Sequence, residues 1–551
     1  MNKCLQAPEI LQLICDQVPN ETRQDRQRLL AIALSCRALL EPGLDRLWHT
    51  IRSFRPLVTT LHPNSLEREI KCDGQPPRRF EVLTLRCEIT PPDLDRYLAY
   101  YAPRIREVDI AQLRTTFSPE TWQNLQLATN WKAGALSPSA WKIVWRLTEY
   151  FQPKLSEAIL DQTFPYFALF LGPKVTSVHF AFNSETPIHT ASLRNATIIP
   201  TVLKTLQLED GSVADSELPF LHDFLTSSSW NNLEGLTIGR MPSYAIPHLS
   251  TLPCLSTLEI GSLRGPGPLY SYTEDDVEMP PAHLSSISSS AFRSLKSLKL
   301  SSGFLLYFQG FLQHLPPDNQ VHTLKCTLEA TPGSTDCVYG LLFTISLHCN
   351  PQKLRKLVIK GRPNISYQEE NLDAQPTDGV DLLSLLRFTG LETLSLNILV
   401  GVNLNSDDIK AIIENFPQLV KLKVDTGAFD SRLPRIDHTH VLQLLYKLPH
   451  LKKLGLRFDA TSIPRDQSEE PALDNLVTND QPSQVIKLWV GDSPICSPSN
   501  TAKFFEAHCP KLRMENVFPR PVELNTPETM PAVMYQRRWK AVANYIVYPQ
   551  P

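Results

Sequence analysis

The chain has 551 residues, and its 54 lysines and arginines against 57 aspartates and glutamates give a formal net charge of −3. This balance provides no basic field for nucleic acid, while an apolar content of 42% is typical of a folded globular protein. No window approaches the roughly 18 to 20 apolar residues of a membrane-spanning helix. The length allows several domains or one long repeat array.

The first stretch with a clear pattern predicts a short amphipathic helix. Pro8 can begin it, because proline has no N–H to lose and its φ is already close to the helical value. Ile10, Leu11 and Ile14 then share one face. The predicted helix is short and apolar on one side.

Two further helices are predicted before residue 55. The second runs from about residue 26 to 40, and the third follows Pro42. Apolar positions at helical spacing in the second are Leu29, Leu30, Ala33, Leu34 and Cys36. Three short helices form only a small core, so we expect an apolar face to complete its burial against a partner or against the rest of the chain.

These residues resemble the F-box family. The resemblance lies in Pro8-Glu9-Ile10-Leu11, Ile14, the leucine-rich second helix, Cys36-Arg37 and Leu47-Trp48. The family often has a tryptophan directly after the Cys-Arg pair. This chain has Ala38-Leu39-Leu40 there, and in this it is similar to the F-box-like proteins abundant in fungi. An F-box docks on a Skp-type adaptor, which tethers it to a cullin-based ubiquitin ligase.

The resemblance implies a set of adaptor-binding residues. They are Pro8, Ile10, Leu11, Ile14, Leu30, Ala33, Cys36 and Arg37. The apolar members would supply buried area, and Arg37 would fix the orientation through a polar contact. The same apolar residues could instead pack against the following repeats, in which case the three helices form only an N-terminal cap.

From about residue 75, apolar residues recur at positions i, i+3 and i+5. The thirteen copies begin at Phe80, Ile105, Val175, Leu203, Leu233, Leu255, Leu295, Val321, Leu354, Leu391, Leu419, Leu451 and Val485. Positions i+3 and i+5 are expected to point inwards on a short strand. Successive copies start mostly about 22 to 40 residues apart, which is the range of solenoid repeats. The long gap after the second copy predicts a degenerate one near Trp141–Trp145.

Segments between these strands predict helices on the outer side of the array. They span about 91–101, 155–171, 218–227, 378–388, 407–416, 438–447 and 501–508. Several of them stop at a proline, such as Pro417, Pro449 or Pro510, which also favours the extended backbone leading into the next strand. Over 75–515 this order resembles leucine-rich repeats, although the Asn or Cys that usually follows the strand is missing.

The predicted fold class is therefore an α/β repeat, an irregular leucine-rich-repeat solenoid with a small N-terminal all-α F-box-like domain. An ordinary α/β domain with a parallel sheet is the alternative. The predicted domains are a three-helix domain at 1–55, a linker at 56–74, the array at 75–515 and a tail at 516–551. Loop inserts are predicted near 264–290, 362–377 and 461–484. In the tail, a capping helix would cover the array with Trp539, Val542 and Ile546.

Sequence motifs for catalysis or cofactor binding are missing. There is no phosphate-binding loop, nucleophile elbow or zinc-protease helix. The nearest candidate is Asp437-His438-Thr439-His440, which we interpret as a helix start capped by Asp437 and not as a metal site. The eleven cysteines contain no Cys-x-x-Cys pair, which argues against a disulfide framework or zinc knuckle. We therefore expect a non-enzyme without metal or cofactor.

The sequence thus predicts a substrate-recognition subunit of a cullin-based ubiquitin ligase, cytoplasmic or nuclear, that binds a Skp-type adaptor and a protein target. It predicts no nucleic-acid or membrane partner. The alternative is a non-catalytic repeat scaffold without a ubiquitin role. A third hypothesis, an enzyme with a pocket on the concave face, would need a constellation among outward strand positions. These include Glu107, Asp109, His179, Gln207, Glu259 and Lys423, which form a mixed set.

Overall fold

A computed structural model divides the chain into two compact units, residues 1–255 and 256–551. The residues that the structure describes are 7–60, 66–73, 78–86, 88–89, 91–110, 115–146, 161–194, 199–211, 219–227, 230–241, 245–263, 291–329, 335–361, 382–398, 402, 404–424, 426, 432–464, 483–519 and 530–545. The predicted inserts near 264–290 and 362–377 lie outside these residues, and so does the insert near 461–484 apart from its two ends.

The first unit begins with three helices and continues with a mixture of strands and helices. Its helices are α1 (Pro8–Asp16), α2 (Arg23–Ser35), α3 (Arg37–Trp48), α4 (Arg55–Thr59), α5 (Pro91–Arg96), α6 (Pro119–Ala128), α7 (Pro187–Arg194), α8 (Pro219–Ser227) and α9 (Ile246–Ser250). Its strands are β1 (Thr50–Ile51), β2 (Leu66–Asp73), β3 (Arg78–Leu85), β4 (Glu107–Ile110), β5 (Thr115–Phe117), β6 (Lys142–Arg146), β7 (Ser177–Phe182), β8 (Thr205–Asp210) and β9 (Gly235–Arg240).

Most of these strands form one parallel ladder in the order β1-β4-β6-β7-β8-β9. The register aligns the i+3 residues of successive motifs, so that the buried residues Val108, Ile143, Val178, Leu206 and Leu236 follow one another across the strands. This alignment confirms the predicted inward positions. The degenerate copy near Trp141–Trp145 is also confirmed, since it forms β6.

The first copy of the motif has a different place from the one predicted. Strand β3, which carries it, pairs antiparallel with β2 and parallel with β5 in a separate three-stranded sheet. The residues predicted as a linker, 56–74, include most of α4 and the whole of β2. The physical reason is that a single apolar motif of this kind describes any half-buried strand and does not specify its partner.

The three N-terminal helices also divide differently from the prediction. The second helix was expected to continue to about residue 40, but it ends at Ser35, and α3 begins at Arg37 and contains Pro42 in its interior. The break falls at Cys36, whose φ of −156° and ψ of 155° are those of extended backbone. The predicted start of the third helix after Pro42 was therefore wrong.

The second unit repeats one strand and one helical segment. Its helices are α10 (Leu305–Leu312), α11 (Thr335–His348), α12 (Ser406–Asn415), α13 (His438–Lys447), α14 (Pro498–His508) and α15 (Met530–Tyr545). Its strands are β10 (Thr257–Leu263), β11 (Ser297–Ser302), β12 (Thr323–Leu328), β13 (Lys356–Gly361), β14 (Thr393–Asn397), β15 (Lys421–Val424), β16 (Lys453–Gly455), β17 (Lys487–Gly491) and β18 (Val517–Pro519).

Each strand of the second unit pairs in parallel with the next, from β10 to β18. One backbone contact recurs just before each strand from β11 to β17. The N–H of Val420 donates to the carbonyl of Glu392 at 2.8 Å, Lys452 donates to Val420 at 2.9 Å, and Ile486 donates to Lys452 at 2.8 Å. The repeating parallel strands and helices make each unit an α/β repeat of the leucine-rich-repeat type.

Helix α15 lies against the last repeats. Trp539 and Val542 are buried, and the Trp539 indole N–H donates to the carbonyl of Ser493 at 2.9 Å. The ring of Trp539 lies 6.0 Å from that of Phe458. Ile546, the third residue predicted for this contact, lies outside the described residues.

Candidate functional site

The outward sides of α1 and α2 carry exposed apolar side chains. We name this set the N-terminal apolar surface. Its residues are Ile10, Leu13, Ile14, Leu30 and Leu34, with exposed fractions of 40%, 57%, 41%, 46% and 70%. Single exposed leucines are common, but five large exposed apolar side chains on two short helices that both pack on α3 are a feature that a protein partner can cover.

The packing of the opposite sides of α1 and α2 explains why these apolar side chains remain exposed. Leu11 of α1 and Leu29 and Ala33 of α2 are buried, and both helices pack against α3. Ala33 lies so close to Gly43 of α3 that a Cβ built on Gly43 would come within 2.6 Å of the Ala33 Cβ. One apolar side of each outer helix therefore fastens it to α3, and the other apolar side faces outwards.

The residues implied by the F-box resemblance separate into two groups. Five of them are exposed, and Cys36 is half-buried between α2 and α3; the five are Pro8, Ile10, Ile14, Leu30 and Arg37. Leu11 and Ala33 are enclosed by the packing of the three helices and offer no surface to a partner. Leu13 and Leu34 belong to the exposed surface but not to the implied set. Their helical spacing from Ile10 and Leu30 is the sequence signal that points to them.

Helix α3 is fixed to the repeat that follows it. The ring of Trp48, at its last residue, lies 4.5 Å from that of Tyr101. Arg104 forms ion pairs with Glu41 and Asp45 on the same helix. These contacts attach α3 to residues 97–104 at two places along its length. The exposed residues of α1 and α2, which pack on α3, therefore have a defined orientation relative to the first repeats.

Strand β1 continues this attachment in the backbone. The carbonyl of His49 accepts hydrogen bonds from the N–H groups of Arg106 and Glu107, both at 2.9 Å. Thr50 and Ile51 then pair with Glu107 and Val108 of β4. The chain segment after α3 thus covers the first edge of the parallel ladder, which is the function of a cap.

The outward face of the first unit's strands carries a compact polar cluster. His179 Nε2 lies 3.1 Å from Glu209 Oε1, and Arg146 Nε lies 3.4 Å from the other carboxylate oxygen. The Gln207 amide also donates to Glu209, at 2.9 Å. Burial is the main cause that lowers the pKa of His179. The cluster combines opposite charges with a neutral imidazole, and it contains no serine, cysteine or threonine to act as a nucleophile.

Comparisons with known proteins add one finding. No protein-family model and no curated protein matches the sequence. Among solved structures, the chain is similar to the leucine-rich-repeat-containing protein LegL7 from Legionella pneumophila. The match covers 67% of this chain and 96% of that one, with 16% sequence identity and a TM-score of 0.30. The fold assignment rests on the strand ladders of this chain and not on that similarity.

The described residues contain neither a grouped set of metal ligands nor a membrane-spanning helix. Across the described ranges, no three His, Cys, Asp or Glu side chains are grouped so as to hold a metal ion. No helix in those ranges is both long enough and apolar enough to cross a membrane. Asp437 directly precedes α13, which begins at His438. The Asp437 carboxylate accepts hydrogen bonds from the backbone N–H groups of Thr439 and His440, which confirms the predicted helix cap.

Several histidines predict how stability depends on pH. Burial is the main cause that lowers the pKa of His49, His179, His248 and His314 from the ordinary value of 6.5. The folded chain therefore binds fewer protons than the unfolded chain, so stability is greatest above pH 6.5 and falls as the pH drops below it. We expect a lower thermal unfolding midpoint at pH 5.5 than at pH 7.5. Aspartates and glutamates with ordinary pKa values remain ionised at both pH values, so the difference reports the histidines. A His314→Gln variant should show a smaller decrease, and equal midpoints at the two pH values would contradict the prediction.

Proposed function

We propose that this protein is a substrate-recognition subunit of a cullin-based ubiquitin ligase, which binds a Skp-type adaptor through α1 and α2 and a target protein through its repeats. The observation that carries the proposal is the N-terminal apolar surface. It lies on the helices whose sequence resembles an F-box, and it leaves large apolar side chains in contact with water while the opposite sides of the helices are packed.

The energetics favour a partner for this surface. Burial of a leucine or isoleucine side chain contributes about 1.5–3 kcal/mol. Part of the total is lost to the entropic cost of association, estimated at 4–15 kcal/mol. Five such side chains therefore contribute an amount of the same order as that cost, and polar contacts at the rim, such as one from Arg37, would add affinity and specificity.

The rigid attachment of α3 also supports the proposal. A subunit of this kind performs no chemistry itself and acts by holding its target near a conjugating enzyme, which raises the effective concentration of the reacting groups. Trp48 and Arg104 fix the helices to the first repeats, and a fixed orientation preserves that effect better than a flexible joint.

The alternative is a repeat scaffold whose N-terminal helices serve only as a cap. The pairing of β1 with β4 favours a capping role for the segment that follows α3. The two roles involve different residues, because the cap is formed by α3 and β1 and the apolar surface by α1 and α2. A subunit of the proposed kind belongs in the cytoplasm or nucleus, and the free thiols of Cys15, Cys326 and Cys349 accord with a reducing compartment.

The test measures binding of the full chain to a purified Skp-type adaptor by calorimetry. The Ile14→Glu variant is expected to bind at least about tenfold more weakly, because a charged side chain replaces an apolar one that is buried in the complex. Its thermal unfolding should match that of the unchanged chain, since Ile14 is exposed. Leu127→Glu is the matched control, because Leu127 is an exposed leucine on α6 in the same unit.

Three outcomes would overturn the proposal. The first is an unchanged chain that is folded and does not bind the adaptor, which favours the scaffold. Ile14→Glu could bind as tightly as the unchanged chain, or it could unfold, which would place Ile14 in the internal packing of a cap. Point variants are preferred to a chain that begins near Gln75, because that truncation removes β1 together with the buried Phe54.

A further inference from the structure

The second unit presents a set of lysines on one side of its sheet. The parallel register brings together lysines from five strands that are distant in sequence. We name this set the lysine face. Its residues are Lys325 on β12, Lys356 and Lys360 on β13, Lys421 and Lys423 on β15, Lys453 on β16 and Lys487 on β17.

The register places these residues in columns across the strands. One column reads Lys356, Thr393, Lys421, Lys453 and Lys487 from β13 to β17. Their strand neighbours, such as Leu422 and Leu454, point into the core and are buried. With strands about 4.8 Å apart, a row across β12 to β17 spans about 24 Å, the length of roughly seven residues of extended chain.

The positive charge of this face is not neutralised within the described part of the chain. The strand positions that alternate with the core residues from β12 to β17 carry lysines, threonines, Ser395, Asn397, Val358, Gly455, Trp489 and Gly491, and no aspartate or glutamate. Val358, Ser395 and Gly455 are buried, so the continuous accessible part of the face is the column from Lys356 to Lys487, whose members are exposed or half-buried. No described residue forms an ion pair with any of the seven lysines. Lys299, on the neighbouring β11, is excluded from the set because it pairs with Glu259 at 2.7 Å.

Two of these lysines are half-buried and lie near other lysines of the face. Burial, followed by the charges of Lys360, Lys453 and Lys356, lowers the pKa of Lys421. Burial, followed by the charges of Lys421 and Lys360, lowers the pKa of Lys423. Like charges held together in this way favour a ligand that brings negative charge to them.

One edge of the face is built around an aromatic ring. The ammonium groups of Lys423 and Lys421 lie 5.0 and 5.6 Å from the ring centre of Trp489. Phe518 stacks with the same ring at 5.6 Å. Gly455 lies between, and a Cβ there would come within 2.8 Å of the Lys423 Cγ, so the glycine makes room for the lysine to reach across β16.

We propose that the lysine face binds an extended polypeptide segment rich in aspartate and glutamate. The partner's chemistry follows from charge complementarity with an array of ammonium groups that form no ion pair with any residue in the described ranges. Nucleic acid is disfavoured, because the Trp489 ring is already in contact with lysines and Phe518 and is not free to stack on a base. The face also lacks arginine, and the whole chain carries a net charge of −3. The proposal rests on the part of the proposed function that assigns target binding to the repeats. It adds the chemical class of the target.

The experiment uses the full chain and a fluorescent twelve-residue peptide of alternating glutamate and serine, with binding followed by anisotropy at low salt. We expect binding that weakens as salt increases, and little binding of the matching glutamine–serine peptide. The double variant Lys421→Glu with Lys423→Glu should bind the acidic peptide at least about tenfold more weakly. The control is Lys447→Glu with Lys503→Glu, which makes the same change of net charge on α13 and α14 and should change binding less than about threefold.

Three results would overturn the inference. They are equal binding of the acidic and neutral peptides, an equal loss in the test and control variants, and tighter binding of a single-stranded oligonucleotide than of the acidic peptide. Adaptor binding is measured on the same lysine variants, and it should remain unchanged. A failure of peptide binding is therefore distinguishable from a failure of the N-terminal helices to bind the adaptor.

Discussion

Replacing Leu13 and Leu34 together with glutamate is expected to weaken adaptor binding by at least about 100-fold. The two residues lie on different helices and are the most exposed members of the N-terminal apolar surface. If the exposed residues of both helices contact the adaptor, each substitution removes the burial of one leucine. That burial contributes about 1.5–3 kcal/mol, or about 10- to 150-fold in affinity. The effects of the two single variants should then add in free energy, because the residues lie on separate helices and share no contact that the structure shows.

The measurement is a double-mutant cycle by calorimetry, with the two single variants and the double variant in the full chain. A control chain carries Leu127→Glu and Leu383→Glu, two exposed leucines far from α1 and α2 in sequence, and it should bind like the unchanged chain. A double variant no weaker than one of the singles would mean that the adaptor contacts only one helix. Loss of binding in the control would show that the assay reports added charge and not the surface.

The N-terminal helices show how far a sequence pattern specifies a site. The predicted single apolar face of Ile10, Leu11 and Ile14 was wrong, because Leu11 is buried whereas Ile10 and Ile14 are exposed. The apolar residues at positions 10, 11, 13 and 14 lie on both sides of α1. The period therefore predicts the helix, but it leaves open which apolar side is packed and which is free. That choice is made by α3, which packs against Leu11 and Ala33 and leaves Leu13 and Leu34 outside. Tertiary packing of this kind is not contained in the spacing of one helix.

The repeats show the opposite case. The recurring apolar positions predict the strands, their inward residues and the degenerate copy at β6, because each strand meets the same environment as its neighbours. The hairpin of β2 and β3 is not predicted by the recurring pattern, because β3 carries the motif but pairs with β2, which does not. The lysine face could be found from the sequence by aligning the motifs and comparing positions i+2, i+4 and i+6 in columns. When outward strand positions such as Glu259 and Lys423 are taken from the whole chain without this alignment, their charges are mixed and no face is recognised.

The same alignment gives a reason for the uneven repeats of this chain. A ladder of parallel strands requires equal register at the strands only, so the connecting segments are free to differ in length and helix content. Helix α11 has 14 residues, for example, whereas the segment before β14 has a short 3-10 turn at Leu383–Leu385. The strand face is therefore the regular surface of each unit, and an extended partner that crosses several strands can use its periodicity.

The buried aromatic cluster of the first unit predicts the largest effect on stability. Phe54 follows β1 and is fully buried, with its ring centre 4.8 Å from that of Trp122 and 5.5 Å from those of Phe117 and Trp145. These residues belong to α6, β5 and β6, so one side chain connects the segment after the N-terminal helices to three elements of the repeats. Phe54→Ala is expected to lower the free energy of unfolding by about 3–5 kcal/mol, because it removes the transfer energy of the ring and leaves a cavity.

The measurement is denaturant unfolding of the full chain, with Trp145→Phe as the matched control. The Trp145 indole nitrogen is buried and has no hydrogen-bond partner in the described residues. Phenylalanine removes this unsatisfied donor and keeps an aromatic ring in the same place, so part of the lost burial is offset and the change should be less than about 2 kcal/mol. A loss below about 1 kcal/mol for Phe54→Ala would mean that the cluster can close around the missing ring, and that β1 is held to the repeats by its backbone hydrogen bonds alone.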